Sequence, residues 1–254
     1  MGDQIPVYVI NLERSRDRWE RLQANAVALA IDLRRIEAVE GKMLKPDELQ
    51  DFDEAGFRRC HGKIAMPAEI GCYFSHIRAL EVIVKAPEPF AVLVEDDVVF
   101  PPDFTSFVGK LTHLTGWDVI KLVNHRTAAF RPYLKVDDIA IGRCVHGPLG
   151  SSAAYVVTRE GAARLLAAIR PMRVPYDVAL ERGWAGNYEM FTTDKPLVGF
   201  SDVAISTIAQ GRSAYAKRRL PPYKRLTTLF FRTTDYISRI IYAFKNGSLK
   251  RAID

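Results

Sequence analysis

Cysteine is scarce. The 254 residues hold three, Cys60, Cys72 and Cys144, widely spaced and in no C-x-x-C arrangement. That argues against a disulfide framework or a zinc site and fits a reducing compartment. Nor is there an uninterrupted apolar run of the about 18 residues that a membrane-spanning helix needs. The opening MGDQIPVYVI lacks a basic stretch followed by a long apolar one, so it does not read as a secretory signal. No long repeat is present, which sets solenoids aside. Apolar residues, in contrast, make up 48% of the chain, ample for a core, and the length suits one large α/β domain or one domain with an appendage.

Positive charge is confined to one end. From Arg212 onward, eleven Lys/Arg face only Asp235 and Asp254, a net of +9; the whole chain is +6, which leaves −3 for residues 1–211. The asymmetry points to an anionic partner for the tail, a membrane surface before nucleic acid, for which no motif speaks. From Tyr223, Leu226, Phe230, Ile237, Ile241 and Phe244 keep helical spacing with Arg232, Arg239 and Lys245 among the polar positions. Such a basic amphipathic helix reads either as an interfacial anchor or as a helix docked on the domain, and the two are compatible.

Residues 91–100, AVLVEDDVVF, carry three consecutive carboxylates between apolar runs, with no Gly, Asn or Ser beside them to build an ordinary solvent turn. The β-branched approach reads as a buried strand that delivers Glu95, Asp96 and Asp97 at its carboxyl end, the edge where open α/β sheets bind ligands. Glu95 and Asp97 point the same way on an extended chain, so the pair suits one hard divalent cation. Capping of the next segment, or pairing with arginines, is the alternative.

Other segments alternate strand with helix, which favours α/β architecture. Residues 5–10 form a first apolar strand; Ser15 then opens a helix with Trp19, Leu22, Ala26 and Leu29 at helical spacing. Asn11, Arg14 and Arg18 stand at that strand end and helix start, where they either grip a nucleotide phosphate or serve as solvated charge. Residues 33–39 suggest a strand, and 40–59 read as polar loop. Residues 66–85 read as a helix with Pro67 in its first turn, Ile70, Phe74, Ile77 and Val84 on its core face, and Glu69, Tyr73 and His76 beside it. Gly71 and Ser75, one turn apart, form a small-residue strip that admits another backbone or a flat ligand. His76 is either a satisfied core histidine or a site residue. Strand patterns follow at 117–123, 133–145, 151–157 and 195–206, with a helix capped by Thr158. In residues 175–177 a turn presents Asp177, as a helix cap or as a functional acid.

Together, VYVINLERSRDRWERL, AEIGCYFSHIRAL, FAVLVEDDVVF, GSSAAYVVTREGAARLL and VPYD, in that order over about residues 5–206, resemble glycosyltransferase family 25, the lipooligosaccharide glycosyltransferases. The resemblance implies a GT-A fold: an α/β, Rossmann-like mixed sheet flanked by helices. Its catalytic domain would span 1–211, with a nucleotide-sugar half to about 123 and an acceptor half over 124–211, ahead of the basic tail 212–254. It also implies inverting transfer of a hexose, commonly galactose from UDP-galactose, to a glycan or glycolipid acceptor.

Carried onto this chain, the resemblance places Asn11, Arg14, Arg18, Glu69, Gly71, Ser75, His76 and Asp96 at the donor. Glu95 and Asp97 become ligands of Mn²⁺ or Mg²⁺, and Asp177 the base, with Glu181 and Glu189 as reserves. The expected location is peripheral, on the inner face of a bacterial cytoplasmic membrane. Two other readings of the same acids stay open: a metal-dependent nucleotidyltransferase or phosphohydrolase, and a non-catalytic nucleotide-sugar-binding protein.

Overall fold

A computed structural model describes residues 5–201, 218–245 and 249–251. The boundary expected at 211/212, the start of the basic tail and the end of the strand pattern at 195–206 lie outside them.

The apolar runs become strands because their alternate residues are buried on both faces of one sheet. In β1 (Val7–Asn11), Val7 and Val9 enter one core layer while Tyr8 and Ile10 enter the other. In β3 (Phe90–Glu95), Val92 and Val94 pack on one side and Ala91 and Leu93 on the other. β2 (Leu33–Glu37), β6 (Val119–Lys121), β7 (Ala128–Val136), β8 (Ile139–His146), β9 (Ala154–Thr158) and β10 (Met190–Thr193) complete an eight-stranded sheet. The order is β2-β1-β3-β9-β6-β10-β8-β7. β1 is parallel to β2 and β3, whereas β9 runs antiparallel to both β3 and β6. Parallel βαβ units need covered faces, and helices supply the cover. α1 (Arg16–Ala28) and α4 (Phe104–Leu111) lie on one side, α3 (Pro67–Lys85) and α5 (Arg159–Ile169) on the other. The result is a mixed α/β sheet of GT-A-like form. The boundary expected near 123 is crossed by this sheet, since β9 and β10 of the later half pair with β3 and β6 of the earlier one.

Three local features differ from the sequence expectation. Residues 40–59 are not all loop: they contain α2 (Glu54–His61), capped by Asp53, whose carboxylate accepts from Gly56 N at 2.7 Å. The strand expected over 91–100 breaks after Glu95, where Asp96 and Asp97 themselves form a turn into the short β4 (Val98–Val99). Asp177 does not cap α6 (Tyr176–Leu180); Pro175 holds the cap position and Asp177 lies inside the first turn. The sheet positions the site simply. β1 and β3 end side by side, with Ile10 opposite Glu95, so their carboxyl ends and the loops beyond form one edge.

The tail forms α8 (Leu226–Phe244), which packs on the body beside α2, β8 and α7 (Gly183–Gly186), and residues 250–251 pair antiparallel with the short β5 (Leu114–Thr115). Among the described residues no helix is long and apolar enough to cross a membrane.

Candidate active site

The three carboxylates of the 95–97 turn have three different environments. Asp96 accepts from Asn11 Nδ2 at 2.7 Å and from Arg18 Nη1 at 3.1 Å. Asn11 is buried, its amide also donating to Ser15 O at 3.0 Å and its Oδ1 accepting from Arg35 Nε at 2.9 Å. Asn11 thus holds the turn and positions Asp96. Arg18 both holds Asp96 and lines the cavity beyond it.

Glu95 accepts from Ser152 Oγ at 2.7 Å, and its Oε1 lies 3.5 Å from His76 Nε2. Burial raises this carboxyl, but the His76 and Ser152 contacts outweigh it, and the group sits below its ordinary value. His76 is fully buried, stacked on Tyr176 at 3.8 Å between ring centres, with Nδ1 3.2 Å from the Tyr155 hydroxyl. Tyr155 and Tyr176 share a hydrogen bond of 2.8 Å. The hydrogen-bonded chain His76–Tyr155–Tyr176, with Glu95 beside its His76 end, links the carboxyl end of β3 to the helix that bears Asp177.

Asp97 has a buried Oδ1 with no hydrogen-bond partner. Burial and the flanking Glu95 and Asp96 carboxylates push its pKa up to about 7, against the pull of Arg18. A buried acceptor beside two other carboxylates, lacking a donor, is the environment a divalent cation satisfies. The residues therefore fit Mn²⁺ or Mg²⁺, with Glu95 and Asp97 the groups to hold it. Cys72, His76 and Glu95 also bring ligand atoms within 4.8 Å of one another. That set fits a hard cation less well, because burial keeps the Cys72 thiol protonated, its pKa well above its ordinary value.

Two cavities meet at Glu95. One, about 230 Å³, is lined by Arg14, Arg18, Lys42, Ser75, His76 and Asp96. The other, about 490 Å³, is lined by Glu69, Asp97, His125, Ser152, Tyr176 and Asp177. They share a wall of Ala68, Cys72 and Glu95. Arg14 is paired with Glu40.

Ser75 Oγ donates to Gly71 O at 2.6 Å and accepts from Val39 N at 2.7 Å. A Cβ on Gly71 would stand 2.6 Å from Val39 O and 2.7 Å from Gly41 N. The small-residue strip admits another backbone, the 39–41 turn, against which Gly71 packs. Glu69 Oε2 accepts from Met66 N at 2.8 Å, so its carboxylate caps α3 while lining the second cavity.

Asp177 has its pKa raised by burial and by Glu181, with Lys121 and His125 pulling the other way. The two reserve bases fall away. Glu181 is fully buried, accepting from Lys121 Nζ at 3.0 Å, from Leu149 N at 2.9 Å and from Gly150 N at 3.1 Å, with Arg239 Nη1 at 3.1 Å. No lone pair is left for a substrate. Glu189 is paired with Arg143 and lines neither cavity. Replacing Glu181 with Gln leaves Lys121 and Arg239 buried against a neutral amide. Urea unfolding is expected to show a loss of about 3–5 kcal/mol; a loss below about 1 kcal/mol would mean that the pair is solvated.

Sequence reasoning missed Ser152, Tyr155, Tyr176 and Lys42. The first three lie inside the GSSAAYVV and VPYD segments, and their signal was a polar residue within an otherwise apolar strand or turn. Lys42 sat in a stretch with no pattern.

A GT-A-like sheet, with acids and arginines at the carboxyl ends of β1 and β3, defines a nucleotide-sugar-binding class of fold. Within that class, the family described as Glycosyltransferase family 25 (LPS biosynthesis protein) matches residues 4–180, and the chain belongs to it. The motif resemblance is thereby borne out. Among curated relatives, a Glycosyltransferase 25 family member of Aedes aegypti is 32% identical over 45% of this chain and 20% of its own length. Human Procollagen galactosyltransferase 2 is 26% identical over 64% of the chain and 27% of its length. Human Inactive glycosyltransferase 25 family member 3 is 28% identical over 66% of the chain and 29% of its length. The chain thus spans less than a third of each of these relatives.

Proposed function

We propose that the chain is an inverting hexosyltransferase that moves galactose from UDP-galactose to a glycan or glycolipid acceptor of the lipooligosaccharide kind. The observation that carries this reading is the Glu95 wall between two cavities, with the unpartnered Asp97 oxygen and Asp177 together on the far side. The smaller cavity, with Arg14, Arg18 and Lys42, suits a nucleotide diphosphate; the larger, with Asp177, suits the acceptor. The names of relatives support galactose, since they include procollagen galactosyltransferases. The name of the family supports the lipopolysaccharide-type acceptor.

In this reading Asp177 takes the proton of the acceptor hydroxyl as its oxygen bonds to the anomeric carbon. The bond from that carbon to the β-phosphate oxygen breaks on the opposite face, and UDP leaves with the electron pair. A cation held by Glu95 and Asp97 would neutralise charge on the departing diphosphate. Arg18 and Asn11 keep the turn in place, and the His76–Tyr155–Tyr176 chain fixes Glu95 relative to α6. The chain works on the cytoplasmic face of the membrane that carries its acceptor, attached peripherally through α8.

The test is a donor screen. Purified protein with Mn²⁺ is given UDP-galactose, UDP-glucose and UDP-N-acetylhexosamines, and UDP release is followed with and without glycan acceptors. Release from UDP-galactose should exceed the others by at least about tenfold, the scale on which a pocket separates close analogues. Release of phosphate or pyrophosphate instead would favour a phosphohydrolase or nucleotidyltransferase. Tight UDP binding with no release would favour a non-catalytic protein, like the relative named inactive.

A further inference from the structure

Helix α8 is docked the wrong way round for an ordinary surface helix. Its buried positions are Thr228, Arg239, Tyr242 and Ala243. Arg239 reaches the buried Glu181 and lies over Trp184 at 4.9 Å, and Asp235 pairs with Arg182 at 2.7 Å. The opposite face carries Leu226, Leu229, Phe230, Ile237, Ile241 and Phe244, each between 51% and 73% exposed. Steps of three, four and seven residues line these side chains along one side of the helix.

At the head of the stripe is a cavity of about 610 Å³ between α8 and the end of α2. Lys63, Arg219, Arg225 and Arg232 line it, with no carboxylate among the lining residues. Two polar atoms in its wall, Thr228 Oγ1 and Arg225 Nε, are buried without a hydrogen-bond partner, and Thr228 is only 3% exposed. The cavity also takes in the start of α8, which has neither a side-chain cap nor an acid in its first turn. Its rim is fixed by backbone, with Ile64 N donating to Arg218 O at 3.1 Å and Leu220 N to Gly62 O at 3.0 Å. Burial, then Arg232 and Arg219, lower Lys63 against the opposing pull of Glu69, and burial, then Lys63 and Arg232, lower His61 to about 3. Leu226 and Leu229 belong both to this cavity and to the apolar stripe.

We infer that this cavity binds the phosphate of an anionic phospholipid while the stripe of α8 beds among the acyl chains. The inference rests on the membrane placement proposed above and adds the site and ligand that produce it. Cations at the cavity supply the charge complement; the stripe supplies apolar area that the fold itself leaves uncovered. The segment from 218 to 245 holds seven Lys/Arg against one Asp, which matches an anionic leaflet.

The experiment is vesicle flotation of the full chain, using phosphatidylcholine alone and phosphatidylcholine with about one-quarter phosphatidylglycerol. The anionic vesicles should carry the protein, and the double variant R219Q/R225Q should lose roughly 25-fold of that partitioning, about fivefold per cation near the leaflet. Arg219→Gln alone, on the exposed rim, should lose about fivefold and guards against a folding defect at Arg225. Phe230→Ser should weaken binding by about tenfold with the cavity intact. Equal binding to both vesicle types, untouched by R219Q, would overturn the phosphate site but leave membrane placement standing. Binding to neither would overturn both. Inorganic phosphate that binds in calorimetry without any vesicle binding would assign the cavity to a soluble anion and overturn the lipid. A dimer in sedimentation, dispersed by Phe230→Ser and indifferent to vesicles, would give the stripe to a second copy and overturn it too.

Discussion

Asp97→Asn should reduce sugar transfer on the order of 10³-fold, the several kcal/mol that a cation contributes to a departing diphosphate. The loss should not be recovered by raising Mn²⁺, because a neutral amide replaces the one acid in the turn whose Oδ1 has no protein partner. Glu95→Gln should be milder, since part of the Glu95 carboxylate is already engaged by Ser152 and His76, and the amide oxygen of Gln can still accept from Ser152. Stability separates this account from simple damage. Asp97 rests near 3.8 in an unfolded chain and about 7 in the fold. The metal-free native state therefore keeps a proton that the unfolded chain has released, and its stability falls as pH rises from about 4 through about 7. Asn lacks that cost. In chelator at pH 8 the variant should melt above wild type, and the two should converge near pH 4. Mn²⁺ should raise the melting temperature of wild type only, more strongly at pH 8 than at pH 6, since the cation must displace the Asp97 proton. A variant that retains metal-dependent stabilisation would move the ligand role to the Cys72–His76–Glu95 group.

Much of this site was legible because its residues obey local rules. β1, β3 and β9 are read from unbroken apolar runs, as strands buried on both faces must be. The helix at 67–85 announces itself through Pro67 and its spacing. Three adjacent acids in an apolar setting have little structural reason to exist, so Glu95–Asp97 drew attention before any fold was known. What escaped depends on partners distant in sequence. Asn11 looks like a ligand residue at a strand end, and only the fold shows its amide consumed by Asp96 and Ser15. Gly71 looks like room for a ligand, and the fold fills that room with the 39–41 turn. Helical periodicity reveals that α8 has an apolar stripe but not which side docks. That is decided by Glu181, 58 positions from Arg239, whose buried carboxylate draws the polar face inward. α2 was missed because eight residues with Phe57 as the main anchor carry too little pattern, although Asp53 before Gly56 marked its start.

Asp177→Asn should lower transfer about 10²- to 10⁴-fold, the range of a positioned general base. The change should appear in kcat, with little effect on the donor's KM, because Asp177 lines the larger cavity and not the one with Arg14 and Arg18. Its environment is suited to the task. Burial and Glu181 raise its pKa, which makes it a better proton acceptor than a solvated aspartate, while Lys121 and His125 keep it ionisable. Glu181, next in line on sequence grounds, cannot replace it, since four donors already hold that carboxylate in the protein interior. The pH profile carries the sharper test. Transfer needs the ionised form, so the rate should climb with pH along a limb lying above the ordinary aspartate value of 3.8 and then level off. Asp177→Asn should flatten that limb in its residual activity, at saturating Mn²⁺ so that Asp97 does not add its own. Donor hydrolysis without acceptor should survive in the variant, because water attack does not require the acceptor hydroxyl to be oriented. Near wild-type transfer by Asp177→Asn, or loss of UDP binding along with transfer, would remove Asp177 from the role of base. It would then stand as a wall of the acceptor cavity, with the proton going to the acceptor's own solvent.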